Sequence, residues 1–345
     1  MKNYTLKVQE VRRETDDTIT ICFKQPGLKK IKYLAGQYLT LQFRINGRRY
    51  IRPYSFSSTP LIDSSLNVTI KRVPGGIVSN YINDHVKVDD VIEVQEPLGD
   101  FVFESNESNE SIKSVIFWGV GSGITPLFSI IKGLLSVNSV INIHLVYGNK
   151  SKASVIFYEE LEKLKSIYSQ RFNIYYFYSK EEFFDNESHN FRGRIDSEFV
   201  KNLIKKIEEP IRHYVCGPIG LKNTIKESLL HLTGDFKNFF SEDFEIVKDP
   251  KDFININSQE IVLSFNGSES KITINKGNSI LEEALEIGLE LPYSCQTGNC
   301  STCKGILKSG ELKMIGLSKP RTDLNENEYL LCCSYPLTNN VCIEI

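Results

Sequence analysis

The chain has 345 residues and a formal net charge of -2, so its length predicts two or three domains and its charge offers no broad basic surface for nucleic acid. Eight cysteines without a secretion signal argue against a disulfide framework and favour a metal or redox function in the cytoplasm. The uncharged stretch 114–131 is interrupted by glycines and a proline, so we expect no membrane span.

Residues 1–103 predict short strands joined by turns, with the spacing of a small antiparallel barrel. Two motifs lie within this region, "RPYSFSS" at 52–58 and "GGIVSNYIND" at 75–84. The first places an arginine, an aromatic ring and hydroxyls along one strand, and the second places two glycines and a serine at a helix start, where anions bind. On residue chemistry alone, an ordinary polar strand and an ordinary helix cap explain these motifs equally well. A polar repeat at 104–111 predicts a surface loop.

The middle of the chain opens with a strand, a glycine turn and a helix, "SVIFWGVGSGITPLFSIIKGLL". At the turn, Gly121 and Gly123 would present free backbone N–H groups and the positive end of the helix to a pyrophosphate. Thr125 can cap this helix, and Pro126 suits its first turn. A G-x-G pair alone is weak evidence, but further strands and helices alternate after it. We therefore expect a doubly wound sheet over about 112–245.

The last part of the chain contains "SCQTGNCSTCKG", in which Cys295, Cys300 and Cys303 have C-x4-C-x2-C spacing. Followed by a distant fourth cysteine, this spacing is typical of plant-type 2Fe-2S ligation. The loop residues are small, so the backbone can pass close to the sulfurs and donate hydrogen bonds to them. Buried free cysteines and a zinc site are the alternatives. Zinc sites usually use paired C-x2-C units or histidines, and no histidine follows His231.

The motifs "RPYS", "GGIVS", "GSGITP", "YGNK" and "CGP" occur in the order found in the ferredoxin-NADP reductase superfamily, which the chain resembles over nearly its whole length. Its last part also resembles a plant-type ferredoxin. The resemblance implies a multidomain protein: an antiparallel β-barrel flavin domain at 1–110, a doubly wound α/β NAD(P) domain at 111–245, a linker at 246–257, and an α+β β-grasp ferredoxin domain at 258–345.

In that superfamily the first two motifs hold flavin. The resemblance implies that Arg52 pairs with the flavin phosphates, that Tyr54 packs against the isoalloxazine ring, and that Ser55 hydrogen-bonds near its N5 atom. The other positions that the resemblance assigns to flavin are Gly75, Gly76, Ser79 and Phe244. A phenylalanine in the core explains the last of these equally well.

The resemblance also implies that residues 121–126 hold the pyrophosphate of NADPH or NADH, and that Cys216, Gly217 and Pro218 lie beside the nicotinamide. Taken alone, Cys216 is more simply a buried cysteine that packs as a small apolar residue. Within "CGP" we favour a catalytic position. Lys150 ends "YGNK" and can meet a 2′-phosphate as a point charge, and no acidic residue follows at that strand end, so NADPH is slightly favoured over NADH.

The fourth cluster ligand must be chosen from two adjacent cysteines in "YLLCCSYPLT". In plant-type ferredoxins this cysteine is followed by two residues, then an aromatic or apolar residue, then proline. "CCSYP" places Cys332 in that register. We therefore predict that Cys332 completes the ligand set and that Cys333 is a neighbour that packs or faces solvent.

The resemblance implies an NAD(P)H-dependent oxidoreductase that passes electrons through flavin to a 2Fe-2S cluster, and then to an oxygenase or other electron-acceptor protein. The chain as a whole is more similar to FAD-containing reductases of the phenylacetyl-CoA epoxidase type than to FMN-containing phthalate dioxygenase reductases, so FAD is favoured. The alternative is a non-catalytic electron-transfer or redox-sensing subunit. The intact "GSGITP" and "CGP" motifs argue against it, because such a subunit need not bind nicotinamide.

Overall fold

The structure is a computed structural model that describes residues 2–27, 30–104, 112–137, 140–181 and 189–345. The surface loop predicted from the polar repeat lies outside these residues, except for Glu104. Among the residues described, we find no helix with the length and apolar character needed to cross a membrane.

The N-terminal region forms one six-stranded sheet in the order β4-β3-β6-β1-β2-β5. Its elements are β1 (Asn3–Thr15), β2 (Thr18–Lys24), β3 (Tyr38–Ile45), β4 (Arg48–Ser55), β5 (Ser65–Lys71), α1 (Ile77–His85) and β6 (Val91–Leu98). Strand β1 pairs antiparallel with β2 and β6, and β2 pairs antiparallel with β5. Strand β4 lies at one end of the order and is an edge strand. The predicted antiparallel fold of this region is confirmed.

The middle region is a six-stranded sheet in the order β10-β9-β8-β7-β11-β12, and every pairing in it is parallel. Its elements are β7 (Ser114–Val120), α2 (Ile124–Ser136), β8 (Asn142–Asn149), α3 (Tyr158–Ile167), β9 (Phe172–Tyr178), β10 (Asn190–Arg192), α4 (Ser197–Ile204), β11 (Ile211–Cys216), α5 (Ile219–Thr233) and β12 (Phe239–Glu242).

Side chains of β7 alternate between two apolar cores, one on each face of the parallel sheet. Val115 and Phe117 join the core that contains α2 and α3, whereas Ile116 and Trp118 join the core that contains α4 and α5. This alternation is the period-2 pattern of a strand buried on both sides. The predicted doubly wound sheet is therefore confirmed.

The C-terminal region forms a five-stranded sheet in the order β14-β13-β19-β15-β17, beside a two-stranded β16-β18 sheet. Its elements are β13 (Gln259–Phe265), β14 (Ser268–Ile274), α6 (Ile280–Glu286), β15 (Lys304–Ser309), β16 (Leu312–Met314), β17 (Glu328–Leu330), β18 (Ser334–Pro336) and β19 (Val341–Glu344). Helix α6 begins with a capping box between Ser279 and Glu282. It buries Ile280, Leu281 and Ala284 in the domain core.

By its contacts, the chain divides into two compact units. One comprises Lys2–Leu41 and Tyr54–Glu242, and the other comprises Gln42–Pro53 and Asp243–Ile345. Residues 42–53, which form the tip of the β3–β4 hairpin, are therefore grouped with the C-terminal region, which the predicted domain boundaries do not anticipate.

The predicted linker at 246–257 is packed against the C-terminal domain. Phe253 and Ile256 are buried in a small apolar cluster with Ile315 and Tyr335. The rings of Phe253 and Tyr335 meet edge to face, with their centroids 5.0 Å apart.

Candidate flavin, nucleotide and cluster sites

Strand β4 carries the first predicted flavin motif. Arg52 and Tyr54 are two positions apart, so their side chains project from the same face of the strand, and both are partly exposed. Arg52 Nη1 donates a hydrogen bond to the carbonyl of Ile51 at 2.8 Å, while Ser55 is buried. A cation and an aromatic ring on one accessible face suit a ligand that has both a phosphate and a flat ring system.

The second flavin motif forms a turn that leads into α1. Gly75 has a positive φ of 73°, and a Cβ on Gly76 would lie 2.8 Å from Ser79 Oγ, so this turn requires glycine. Ser79 Oγ accepts a hydrogen bond from the N–H of Val73 at 3.1 Å. No side chain caps the N-terminus of α1. Ser79 therefore shapes the turn, while the backbone N–H groups at the helix start are the groups that suit a phosphate.

The glycine turn after β7 is a 3-10 turn, Gly121–Gly123, that leads directly into α2. Gly123 occupies the N-cap position, and α2 has no side-chain cap. Thr125 Oγ1 instead donates back to the carbonyl of Ser122 at 3.0 Å, so the prediction that Thr125 caps this helix is wrong. Thr125 and Pro126 are both buried, which leaves the backbone of the turn as the surface available to a pyrophosphate.

The two predicted nucleotide loops are in close backbone contact at Gly123. A Cβ on this residue would lie 2.1 Å from the carbonyl oxygen of Cys216 and 3.1 Å from the nitrogen of Gly217. The structure therefore brings "GSGITP" and "CGP" together through backbone contact. The Cys216 side chain is only 1% exposed and belongs to the apolar core beneath α2. Its burial fits the simple packing role, and its catalytic assignment stays a prediction. Pro218 is the N-cap residue of α5.

The end of β8 carries Lys150, whose side chain is exposed. In the sequence, NADPH is favoured because no acidic residue follows at this strand end. The structure brings Glu181 there from the end of β9, where its carboxylate accepts a hydrogen bond from the backbone N–H of Lys152 at 2.6 Å. Glu181 lies about 30 residues further along the chain, so the sequence alone does not place it at this strand end. The preference for NADPH over NADH therefore has less support than the sequence alone suggests.

Phe244 lies just after β12, and its side chain is 48% exposed. The alternative that Phe244 is an ordinary core phenylalanine is therefore wrong. Its proximity to flavin stays a prediction.

The four predicted cluster cysteines lie in two pairs, Cys295 with Cys300 and Cys303 with Cys332. The backbone N–H of Cys295 donates to Cys300 Sγ at 3.4 Å, and that of Thr297 donates to Cys295 Sγ at 3.4 Å. In the part of the chain described, no three potential ligands surround a point for one metal ion. Two pairs with backbone donors suit a binuclear cluster, in which each iron takes two protein thiolates.

The electrostatics of the pairs also favour cluster binding. The hydrogen bond with Cys295 lowers the pKa of the Cys300 thiol to about 5. The hydrogen bond with Cys332, together with burial, raises the pKa of Cys303. Crowded, buried sulfurs cannot all ionise by themselves, and bound metal replaces their protons.

The adjacent cysteines occupy different environments. Cys332 contacts Cys303, whereas Cys333 is fully buried and its thiol donates to the carbonyl of Leu330 at 3.4 Å. Of the two outcomes predicted for Cys333, packing or solvent exposure, the structure shows packing.

A residue that sequence reasoning missed is Arg321, whose side chain is only 6% exposed. Its guanidinium donates to the carbonyl of Gly298 and to Ser301 Oγ, and pairs with Asp323 at 2.7 Å. The hydrogen bond from Arg321 lowers the pKa of Asp323 to about 2. The cysteine loop has positive φ at three residues, Gln296, Gly298 and Ser301, a conformation that is uncommon for residues other than glycine. The hydrogen bonds from Arg321 to Gly298 and Ser301 stabilise this loop. No sequence motif marks this arginine.

Family models match the chain in three successive segments. An oxidoreductase FAD-binding domain matches residues 5–103, an oxidoreductase NAD-binding domain matches 117–227, and a 2Fe-2S iron-sulfur cluster binding domain matches 263–337.

Curated relatives match along nearly the whole chain. A component protein of 1,2-phenylacetyl-CoA epoxidase from Escherichia coli (strain K12) is 30% identical over 99% of this chain and 97% of that protein. A glycine betaine monooxygenase reductase subunit from Pseudomonas aeruginosa (strain UCBPP-PA14) is 27% identical over 96% of this chain and 93% of that protein.

Solved structures share the three-domain fold. A phthalate dioxygenase reductase, described as a modular structure for electron transfer from pyridine nucleotides to [2Fe-2S], matches with a TM-score of 0.68 and 21% identity, over 99% of this chain and 98% of that one. An intact type IV self-sufficient cytochrome P450 monooxygenase matches with a TM-score of 0.69 and 19% identity, over 99% of this chain and 41% of that one.

Proposed function

This chain belongs to the ferredoxin-NADP reductase superfamily, among the iron-sulfur flavoproteins that end in a plant-type 2Fe-2S domain, and we propose that it is the reductase component of a multicomponent oxygenase. As a member it is an NAD(P)H-dependent oxidoreductase that uses FAD and a 2Fe-2S cluster. The proposal adds a separate oxygenase protein as the electron acceptor. The observation that carries it is the full-length match to proteins named as parts of oxygenase systems.

Nicotinamide supplies two electrons as a hydride, an iron-sulfur cluster takes one electron at a time, and flavin chemistry can do both. The protein's own contribution is to bind, orient and shield these groups. The close backbone contact between Gly123 and Cys216 holds the two nucleotide loops at a fixed distance from each other. Such fixed positioning is what a hydride transfer between two bound groups requires.

We assign the flavin to β4 and to the start of α1. Arg52 supplies a fork of N–H donors for a phosphate, and Tyr54 supplies a ring on the same face. Ser55 places a hydroxyl on the opposite, buried face of the strand. The N–H groups after Gly76 form a second phosphate contact at the uncapped helix start.

We assign the cluster to Cys295, Cys300, Cys303 and Cys332, two thiolates to each iron. The hydrogen-bonded cysteine pairs and the N–H donors to sulfur support this assignment. None of the eight cysteines, all of which lie in the described residues, forms a disulfide, as is usual in the reducing cytoplasm, where we place the protein. The preserved nucleotide loops argue against a non-catalytic subunit.

The experiment begins with purified protein, from which the flavin is released and identified, and with the visible spectrum of the cluster. Stopped-flow mixing with NADPH and with NADH then measures the rate at which flavin absorbance bleaches with each nucleotide. A protein that lacks flavin, or whose flavin is not reduced by either nucleotide, would refute the oxidoreductase function.

The oxygenase partner is tested separately by affinity capture with the reduced holoprotein. Captured proteins are identified by mass spectrometry and tested for NAD(P)H-dependent hydroxylation or epoxidation with the reductase present. We expect an iron-containing oxygenase that turns over only with this reductase. The Cys332→Ser variant is the control, since it should still oxidise NAD(P)H through flavin but should not support the oxygenase. Turnover that continues with this variant would refute a path through the cluster.

A further inference from the structure

The β3–β4 hairpin carries the proposed flavin residue Arg52, and it also packs against the 2Fe-2S domain. Ile51, which immediately precedes Arg52, is fully buried and belongs to the apolar core that contains Leu291 and Tyr293. Residues 42–53 of the hairpin and the C-terminal domain also fall in the same compact unit. A residue of the predicted flavin region is thus part of the hydrophobic core of the cluster domain.

A buried hydrogen bond lies at the centre of this contact. The backbone N–H of Ile51 donates to the hydroxyl oxygen of Tyr293 at 3.1 Å. Because β4 is an edge strand, its outward N–H groups meet no neighbouring strand in the part of the chain that the structure describes. A buried N–H without an acceptor is costly, so the Tyr293 hydroxyl replaces a missing strand. Tyr293 lies two residues before the cluster ligand Cys295.

Ion pairs surround the buried hydrogen bond. Arg48 Nη2 donates to the carbonyl of Leu285 and to the Glu286 carboxylate, both at 2.9 Å. The Leu285 carbonyl is in the last turn of α6, where cations are favoured, and it also accepts a hydrogen bond from the N–H of Gly288 at 3.1 Å. Arg44 and Arg49 both reach Glu290, at 3.2 and 3.5 Å. These pairs are largely exposed, so each contributes little and is screened by salt.

We propose that Tyr293 is a positioning residue for the transfer of electrons from flavin to the cluster, an inference that rests on the proposed function. Its hydroxyl fixes the strand that carries Arg52 against the segment that leads to Cys295. The three arginines and two glutamates strengthen the same contact electrostatically. Oxidation of one NAD(P)H to NAD(P)+ and a proton releases two electrons, and two one-electron reductions of the cluster consume them. The contact therefore has to hold through two successive transfers.

The first test is Tyr293→Phe, which removes the acceptor oxygen and keeps the ring in the core. Hydrogen exchange of the peptide that contains Ile51 should become about fivefold faster, the factor expected from one net hydrogen bond. In stopped-flow measurements, bleaching of flavin by NADPH should keep its rate, while reduction of the cluster should slow by a similar factor. The matched control is Tyr329→Phe, a partly buried tyrosine of the same domain in β17. It should change neither quantity.

The second test is the double variant Glu286→Gln and Glu290→Gln, with Glu326→Gln as an exposed control. In the wild-type protein, raising the NaCl concentration should speed exchange in the hairpin, because salt screens the ion pairs. The double variant should exchange faster at low salt and should respond less to added salt. The control should behave as the wild-type protein does.

Unchanged exchange at Ile51 in Tyr293→Phe would overturn the inference, as would equal changes in Tyr329→Phe. Faster exchange with an unchanged rate of cluster reduction would show a structural contact only, and would overturn the positioning role. Exchange is measured without NAD(P)H or any acceptor protein, so its result does not depend on the proposed function. Loss of the proposed function would instead appear as missing flavin, missing cluster or no reduction by either nucleotide in the wild-type protein.

Discussion

Replacing Gly123 with alanine should separate the two loops of the nucleotide site. The new Cβ would lie 2.1 Å from the carbonyl oxygen of Cys216, whereas carbon-oxygen contacts are normally about 3.3–3.6 Å. Both neighbours are backbone atoms, so the loops must move apart by about 1 Å. Overpacking of this kind costs about 1–3 kcal/mol of stability. A displacement of about 1 Å at a reacting centre can slow the reaction on the order of 100-fold.

The assay is stopped-flow bleaching of flavin by saturating NADPH, followed by reduction with dithionite. We expect Gly123→Ala to reduce its flavin slowly with NADPH but fully with dithionite, with an unchanged cluster spectrum. Gly220→Ala is the matched control, because Gly220 lies in α5 with open space around its missing Cβ. Alanine in a helix is favoured over glycine by about 1 kcal/mol. A wild-type bleaching rate in Gly123→Ala, or an equal loss in Gly220→Ala, would refute the reasoning.

Three further predictions concern single side chains. Cys332→Ser should remove most of the visible absorbance of the cluster while Cys333→Ser keeps it, and the reverse result would shift the ligand register by one residue. Arg52→Ala should weaken flavin binding by about 10- to 100-fold, as expected for loss of a charge-assisted hydrogen bond, which the flavin content after dialysis measures. Burial lowers the pKa of His213 to about 3, so the folded protein keeps it neutral while the unfolded chain protonates near pH 6.5. His213 should therefore contribute about 2 kcal/mol to the fall in stability between pH 8 and pH 5. His213→Asn keeps an acceptor for the Trp118 indole N–H and should reduce that fall by the same amount in denaturant titrations, while His144, whose pKa burial lowers to about 4, keeps its own contribution.

Features that depend on local spacing could be predicted from the sequence. The C-x4-C-x2-C run and the strand-glycine-helix pattern each fix a short segment, because a loop or a turn is specified by neighbouring residues. The order of the motifs then implies the order of the domains, which the family models confirm.

Features that depend on distant segments could not be predicted. Gly123 and Cys216 are separated by a large part of the nucleotide domain, and only the parallel sheet brings them into contact. Glu181 reaches the end of β8 from another strand, and Arg321 reaches the cysteine loop from beyond β16. Threonine is a common N-cap residue, so the sequence predicts a cap at Thr125, whereas the N-cap position lies two residues earlier, at Gly123.

The packing of the linker affects how this domain could be exchanged between proteins. Phe253 and Ile256 cover apolar side chains of the cluster domain, including Ile315 and Tyr335. A fusion that begins at residue 258 would lack Phe253 and Ile256. The 2Fe-2S domain would then expose apolar side chains to solvent, which favours aggregation. A fusion that keeps the whole linker would keep these apolar side chains buried. The boundary that matters for recombining such modules is therefore set by buried side chains, and it lies upstream of the first strand of the domain.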